Sequence, residues 1–202
     1  MTNFTEAAEA LVSAGRMIAQ NGWVPATSGN FSVRLQGNEV AITVSGAHKG
    51  RLTSADMMRI DLEGKPLEDK RPSAETLLHV QLYRHDPAIR AVLHTHSVNA
   101  TVVSRLAGSA LQFEGLEILK AFAGITTHDS RLQVPVFDND QDMQRLARHV
   151  AAWLGDVAPA PGYLIGGHGL YTWGASLAEA LRHLEAFEYL FKYKLETWRI
   201  CQ

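Results

Sequence analysis

The sequence predicts an α/β or α+β domain in which helices lie on the faces of a sheet, and three observations carry that prediction. Segments with strand-like alternation interleave with segments of helical period along the chain. The 202 residues are 46% hydrophobic and 20% charged, an ordinary globular composition able to bury a core of its own. No stretch reads as a linker, a low-complexity tract or an internal repeat, so the expectation is one domain over residues 1–202.

Residues 3–20 read as an amphipathic helix: Asn3 and Glu6 have capping-box spacing, and Ala7, Leu11, Ala14 and Ile18 share one face. Residues 31–35 and 40–44 alternate as strands about a Gly37-Asn38 turn. Residues 53–58 suggest a short helix with a Thr or Ser cap, and residues 73–85 a longer helix starting after Pro72. The apolar run 89–95 reads as a buried strand that ends at two histidines, with a helix over 98–106 behind it. Residues 125–135 read as irregular with a strand near their end, and 141–154 as a helix. Residues 163–165 and 170–172 read as strands flanking a Gly-rich turn, and 176–200 as a long final helix.

Charge and composition exclude several function classes. Nineteen basic and 21 acidic side chains leave a net charge of −2, which gives no electrostatic footprint for nucleic acid or an acidic membrane. The apolar runs are far shorter than the roughly 20 residues of a membrane helix. The N-terminal segment carries Glu6 and Glu9 and no basic start before an apolar run, so no signal peptide is expected. Cys201 is the only cysteine, which rules out an internal disulfide and points to a reducing cytoplasm. An enzyme or binding domain for a small molecule remains.

Nine histidines then stand out. In His94-Thr95-His96 the two imidazoles are two apart on a predicted strand and point to one face, where both can meet one ion. A catalytic zinc takes three protein ligands and keeps one position open. His168 is the best third ligand, because Gly166, Gly167 and Gly169 around it let the backbone approach closely. An isolated HxH pair is as readily a pair of ordinary hydrogen-bonded histidines, and the Gly-framed third histidine is what favours the metal. Three imidazoles suit zinc and also manganese, cobalt or iron. His79, His85, His149 and His183 fall on predicted helices and read as surface or hydrogen-bonded histidines; His48 and His128 fall in loops.

Three short segments could bind an anion. Thr27-Ser28-Gly29-Asn30 and Thr43-Val44-Ser45-Gly46 are small polar turns, and Pro72-Ser73 opens a helix. Backbone N–H groups in turns and at helix starts bind phosphate, hydroxyls add donors, and Lys49 could supply charge. Sequence alone does not bring the three together. Two carboxylates invite an acid/base role, Glu75 near the start of a helix and Glu117 in Glu114-Gly115-Leu116-Glu117. The plain alternatives are a first-turn glutamate favoured by the helix dipole for Glu75 and an exposed charge for Glu117.

The order of these motifs, from Thr27-Ser28-Gly29-Asn30 through Pro72-Ser73-Ala74-Glu75 and His94-Thr95-His96-Ser97 to Gly167-His168-Gly169, resembles the class II aldolase/adducin family over residues 6–195. The resemblance implies a three-layer α/β/α sandwich around a mixed, largely antiparallel sheet. It implies one Zn2+ per subunit on His94, His96 and His168, and a homotetramer with sites near subunit interfaces. Two stretches are similar to the family's dehydratases: Phe113 to Lys120, which implies Glu117 as a catalytic glutamate, and Gly167 to Gly174, with the aromatic pair Tyr171 and Trp173. Val134-Pro135-Val136 and Asp138-Asn139 also match segments of those dehydratases.

The activity so implied is loss of water from a ketose 1-phosphate. Zinc would polarise the C2 carbonyl, a base would take the C3 proton, and Glu117 would protonate the departing C4 hydroxyl. The phosphate would sit on Ser28, Gly29, Asn30, Ser45, Gly46 and Ser73. Glu75 departs from the pattern: some dehydratases have cysteine there, and aldolases have glutamate. An aldolase or epimerase of the fuculose or ribulose phosphate type therefore competes, with Glu75 as proton carrier, extra metal ligand or helix cap. A non-catalytic adducin-like assembly module would not need the three histidines that this chain retains.

Overall fold

Asn3 opens the first helix, α1 (Phe4–Gln20), through a complete capping box: its side chain accepts from the Glu6 N–H, and the Glu6 carboxylate accepts from the Asn3 N–H. The computed structural model describes residues 3–156 and 160–201; the one-domain expectation also covers residues 1–2, 157–159 and 202, which lie outside the described residues. Ala7, Leu11, Ala14 and Ile18 are buried together, as their spacing requires. The strands are β1 (Asn30–Arg34), β2 (Glu39–Thr43), β3 (Met57–Asp61), β4 (Ala91–Thr95), β5 (Ala110–Glu114), β6 (Arg131–Phe137), β7 (Gly162–Ile165) and β8 (Gly169–Gly174). The remaining helices are α2 (Thr76–His85), α3 (Val98–Leu106), α4 (Met143–Asp156) and α5 (Leu177–Ile200).

Among the described residues eight strands join one sheet in the order β3-β2-β1-β4-β8-β7-β6-β5, and of these neighbours only β6 and β7 run parallel. The sheet is mixed and largely antiparallel, and helices cover both faces. On one face Leu11 and Ile18 of α1, Val103 of α3 and Phe187, Leu190 and Phe191 of α5 pack on Phe31, Leu93 and Leu170. On the other, Leu78 and Leu82 of α2 and Leu146 and Val150 of α4 pack on Ile42, Val92, Tyr163 and Tyr171. Neighbouring strand residues such as Val92 and Leu93 enter opposite cores, the period of two that places each functional side chain below. Burying each such Leu or Phe is worth about 1.5–3 kcal/mol, so the two cores hold the sheet firmly.

Two expectations are corrected. The short helix expected over 53–58 is a 3-10 turn, Ser54–Asp56, followed by β3. The capping signal is real, since Thr53 and Asp56 form a capping box, but Met57 to Asp61 then alternates and pairs with β2. The helix expected from residue 73 begins at Thr76, because Ser73 and Ala74 form a turn in which Thr76 N–H donates to the Ser73 carbonyl. Strand β5 went unread, although Leu111 and Phe113 alternate inward with Gln112 and Glu114 outward. Among the described residues no helix is long and apolar enough to cross a membrane.

Candidate metal centre

His94 shares the face of Val92 on β4, so it points toward the α2/α4 core. There it lies opposite Tyr171 of β8, and the two rings stack with centroids 4.0 Å apart at 13°. His94 Nδ1 is 2.9 Å from the Leu170 carbonyl, which can only accept. The proton is therefore on Nδ1, and the Nε2 lone pair faces the cluster. His96 stands one residue past β4, its backbone N–H donating to the Trp23 carbonyl at 2.8 Å. His168 comes from the turn between β7 and β8. Two glycines let the segments close on one another. A Cβ on Gly169 would lie 2.0 Å from the Thr95 carbonyl oxygen, and one on Gly29, at φ +75°, 2.6 Å from that of His94.

The three histidines converge on their Nε2 atoms, 2.8 Å between His94 and His96 and 3.1 Å between His96 and His168. Glu75 closes the group: its carboxylate oxygens lie 3.0 Å from His168 Nε2 and 3.4 Å from His94 Nε2. One ligand atom from each of the four residues falls within 4.8 Å of the others. Burial holds the His94 imidazole far below its ordinary range and pushes His96 down to about 4, so both are neutral, as metal ligands must be. Burial alone would raise the Glu75 carboxyl; the hydrogen bonds from His168 and the Asn30 amide hold it below the usual carboxylate range instead. Three imidazoles and one carboxylate are a donor set that a divalent first-row metal fits. Glu75 makes no cap bond as the residue before α2, so its side chain serves the cluster rather than the helix.

The three polar segments also meet. Ser28, Gly29, Asn30, Ser45, Gly46 and Ser73 line one cavity of about 290 Å³, together with Lys49, Glu75 and His96. A second cavity of about 690 Å³ adjoins it through Ser45, Ser73, Glu75 and His96, and also has His168, Asn139 and Met143 in its wall. Lys49 is 1% exposed, and its ammonium donates to the Thr27 carbonyl at 3.0 Å and the Ala47 carbonyl at 2.6 Å. It thereby ties the two polar turns together from beneath, and burial pushes it down to about 8.

Glu117 is not brought to this group. It begins a 3-10 turn, Glu117–Ala121, with its side chain 71% exposed. Lys120 donates to it at 2.5 Å, and His128 Nδ1 lies 3.4 Å away. The Lys120 hydrogen bond lowers its carboxyl. Sequence reasoning missed Ser32 and Tyr83; His79, read as a surface or hydrogen-bonded histidine, is a buried hydrogen-bonded one, and the three lie bonded together behind Asn30. The i, i+4 spacing of His79 and Tyr83 was the available signal.

An α/β/α sandwich that sets a Glu/His group beside a polar cavity defines a class of metal-dependent proteins, and this chain belongs to the class II aldolase/adducin family. Residues 9–195 match the class II aldolase and adducin N-terminal domain. The chain is similar to methylthioribulose-1-phosphate dehydratase of Marinobacter nauticus, 54% identical over 203 residues that cover 99% of this chain and 98% of the relative. The dehydratase of the same name from Pseudomonas fluorescens is 56% identical over 192 residues, 94% of this chain and 92% of its own. Among solved structures, L-fuculose-1-phosphate aldolase from Thermus thermophilus superposes with a TM-score of 0.77 at 28% identity, over 96% of each chain.

Proposed function

We propose that this chain is a zinc-dependent dehydratase of methionine salvage, converting 5-methylthioribulose 1-phosphate to 5-methylthio-2,3-dioxopentyl phosphate and water. It acts as one class II aldolase-like domain, assembled as a homotetramer in the cytoplasm. The observation that carries the reading is the shared wall of the two cavities. A C1 phosphate among Ser28, Gly29, Asn30, Ser45, Gly46 and Ser73 sets C2 and C3 of a ketose beside His94, His96, His168 and Glu75. The identity to the dehydratases above supports the substrate.

His94, His96 and His168 would hold the zinc, which would supply Lewis acidity for the C2 carbonyl. The seryl hydroxyls and turn N–H groups bind the phosphate, with the Lys49 ammonium beneath them. A carboxylate takes the C3 proton, and Glu117 protonates the C4 hydroxyl as it leaves as water. The enol left at C3 then tautomerises to the 2,3-diketone. Because Glu117 is exposed in its own chain, it acts in the site of a neighbouring subunit. Exposed apolar side chains support assembly: Val98, Val102 and Leu106 lie along one face of α3, and Tyr189 and Tyr193 along α5.

The test is to give the zinc-loaded protein 5-methylthioribulose 1-phosphate and identify the product by mass spectrometry. Loss of one water to a diketone phosphate is expected. Release of dihydroxyacetone phosphate would replace the reading by an aldolase, which the placement of Glu75 in the cluster favours as the alternative.

A further inference from the structure

A line of hydrogen bonds runs out of the α2/β1 core to Glu75. Tyr83 Oη lies 2.8 Å from Ser32 Oγ, and Ser32 Oγ lies 2.7 Å from His79 Nδ1. His79 Nε2 is bonded to Asn30 Oδ1, and Asn30 Nδ2 donates to Glu75 Oε2 at 2.7 Å. Ser32 and His79 are fully buried, and Tyr83 and Asn30 nearly so. Two periods build this line. Asn30 and Ser32 are two apart on β1, and His79 and Tyr83 are four apart on α2, so strand and helix residues alternate along it.

Chemistry allows one direction of donation. The Glu75 carboxylate only accepts, so Asn30 turns its NH2 toward it and its carbonyl toward His79. That carbonyl requires a donor, which puts the imidazole proton on Nε2. Nδ1 must then accept from the Ser32 hydroxyl, and Ser32 Oγ accepts from Tyr83. Burial reinforces the arrangement by pushing His79 down to about 4 and holding the Tyr83 phenol up, so neither of these two groups carries charge. Among the described residues His79 makes no hydrogen bond to the three metal histidines; its hydrogen-bonded route toward the cluster is the Asn30 amide, beside an edge contact with the Tyr171 ring that stacks on His94.

We infer that His79, backed by Ser32 and Tyr83, is a positioning residue that locks the Asn30 amide and through it aims the Glu75 carboxylate at the metal histidines. Without the imidazole, the Asn30 amide is free to turn and Glu75 loses its fixed donor. The inference rests on the metal reading of the cluster and not on the identity of the substrate. Failure of the dehydratase assay therefore leaves it standing, and its own failure leaves that assay untouched.

Two measurements test it. Nitrogen NMR of the imidazoles in the metal-free protein at pH 7 should show His79 neutral and protonated on Nε2. Zinc affinity, read by competition with a chromophoric chelator, should fall about 10–100-fold in His79→Leu, the range for outer partners of metal ligands. The same change made on top of Glu75→Gln should cost less than about 3-fold, because the line then has no carboxylate to aim. His79→Gln, which keeps one acceptor and one donor, should recover most of the loss. Ser32→Ala, a small change in packing, should weaken zinc about 3–10-fold and serves if His79→Leu does not fold. A His79 ring protonated on Nδ1, or equal losses with and without Glu75→Gln, overturns the inference.

Discussion

Glu75 and Glu117 are two carboxylates with opposite surroundings. Glu75 keeps 15% of its side chain exposed and is held by Asn30 and His168. Glu117 is 71% exposed and is held by Lys120 of its own turn and His128 of the loop before β6. Every group that fixes Glu75 is supplied by the chain's own core, whereas the surroundings of Glu117 are open. The carboxylate that the sheet buries is thus already set in a single chain. The one on the surface turn gains a defined environment only when something covers it, which under the proposed assembly is a second copy.

The largest expected effect comes from breaking the buried side. His96→Ala should lose zinc and activity together, since it removes the imidazole within 2.8 Å of His94 and 3.1 Å of His168. Metal content by atomic emission and turnover should fall in step; an active, metal-free variant would remove the centre from the mechanism.

Glu117→Gln attacks the other side. It should lower kcat about 10²–10⁴-fold, the scale of a lost acid/base group, while zinc stays bound. Thermal stability should shift little, because the side chain is a surface one. A rate close to that of the native protein would end the assignment of Glu117. The comparison sharpens if the two inactive chains are mixed. With zinc ligands from one copy and Glu117 from a neighbour, His96→Ala and Glu117→Gln chains refolded together should regain up to about a quarter of the activity, the share of sites that draw both intact groups. No recovery in proven mixed assemblies would return Glu117 to its own chain.

How much of this was legible depends on which period governs each residue. His94 and His96 could be read because strand alternation is local and strict, and His168 because the surrounding glycines announce close backbone contact. The small polar turns could be picked out one by one, but not their meeting around one cavity, which is set by the pairing of β1 with β2 and β4 and by the Val44–Pro72 bridge. Glu75 was ambiguous because a helix start offers a carboxylate both a dipole and a way out; only the tertiary position of Asn30 decides between them. The Tyr83-Ser32-His79 line was hidden because its members come from two elements with different periods. β3 was masked by a genuine cap one turn earlier.

Acid should separate the two sides further. His79 and His96 are both pushed down to about 4 by burial, against an ordinary histidine value of 6.5. Between those values the unfolded chain binds protons that the folded chain refuses. The stability these two histidines contribute to the metal-free protein is therefore full above pH 6.5 and is lost as the pH falls toward 4. His79 alone accounts for about 3 kcal/mol of that loss. Denaturant unfolding across this range should show the slope, His79→Gln should flatten it, and Glu117→Gln should leave it unchanged.

The smallest effect, and the most local, belongs to Lys49. Its ammonium is buried beneath the anion cavity, bonded to two carbonyls and, among the described residues, with no carboxylate within 4.0 Å. A buried cation without a paired anion is costly, and a bound phosphate would relieve that cost. Lys49→Met should therefore raise KM for the sugar phosphate about 10-fold, equivalent to about 1.4 kcal/mol, with kcat changed far less. The pH dependence of stability gives an independent check. Lys49 is pushed down to about 8 from an ordinary 10.5, so between these values the unfolded chain holds a proton that the folded chain has released. Stability contributed at this position rises with pH across that window, the reverse of a favourable ion pair. The difference in unfolding free energy between the native protein and Lys49→Met should grow from pH 8 to 10.5. A flat difference would mean that Lys49 is solvated, and that the turns carrying Ser28 and Ser45 are held by their own hydrogen bonds alone.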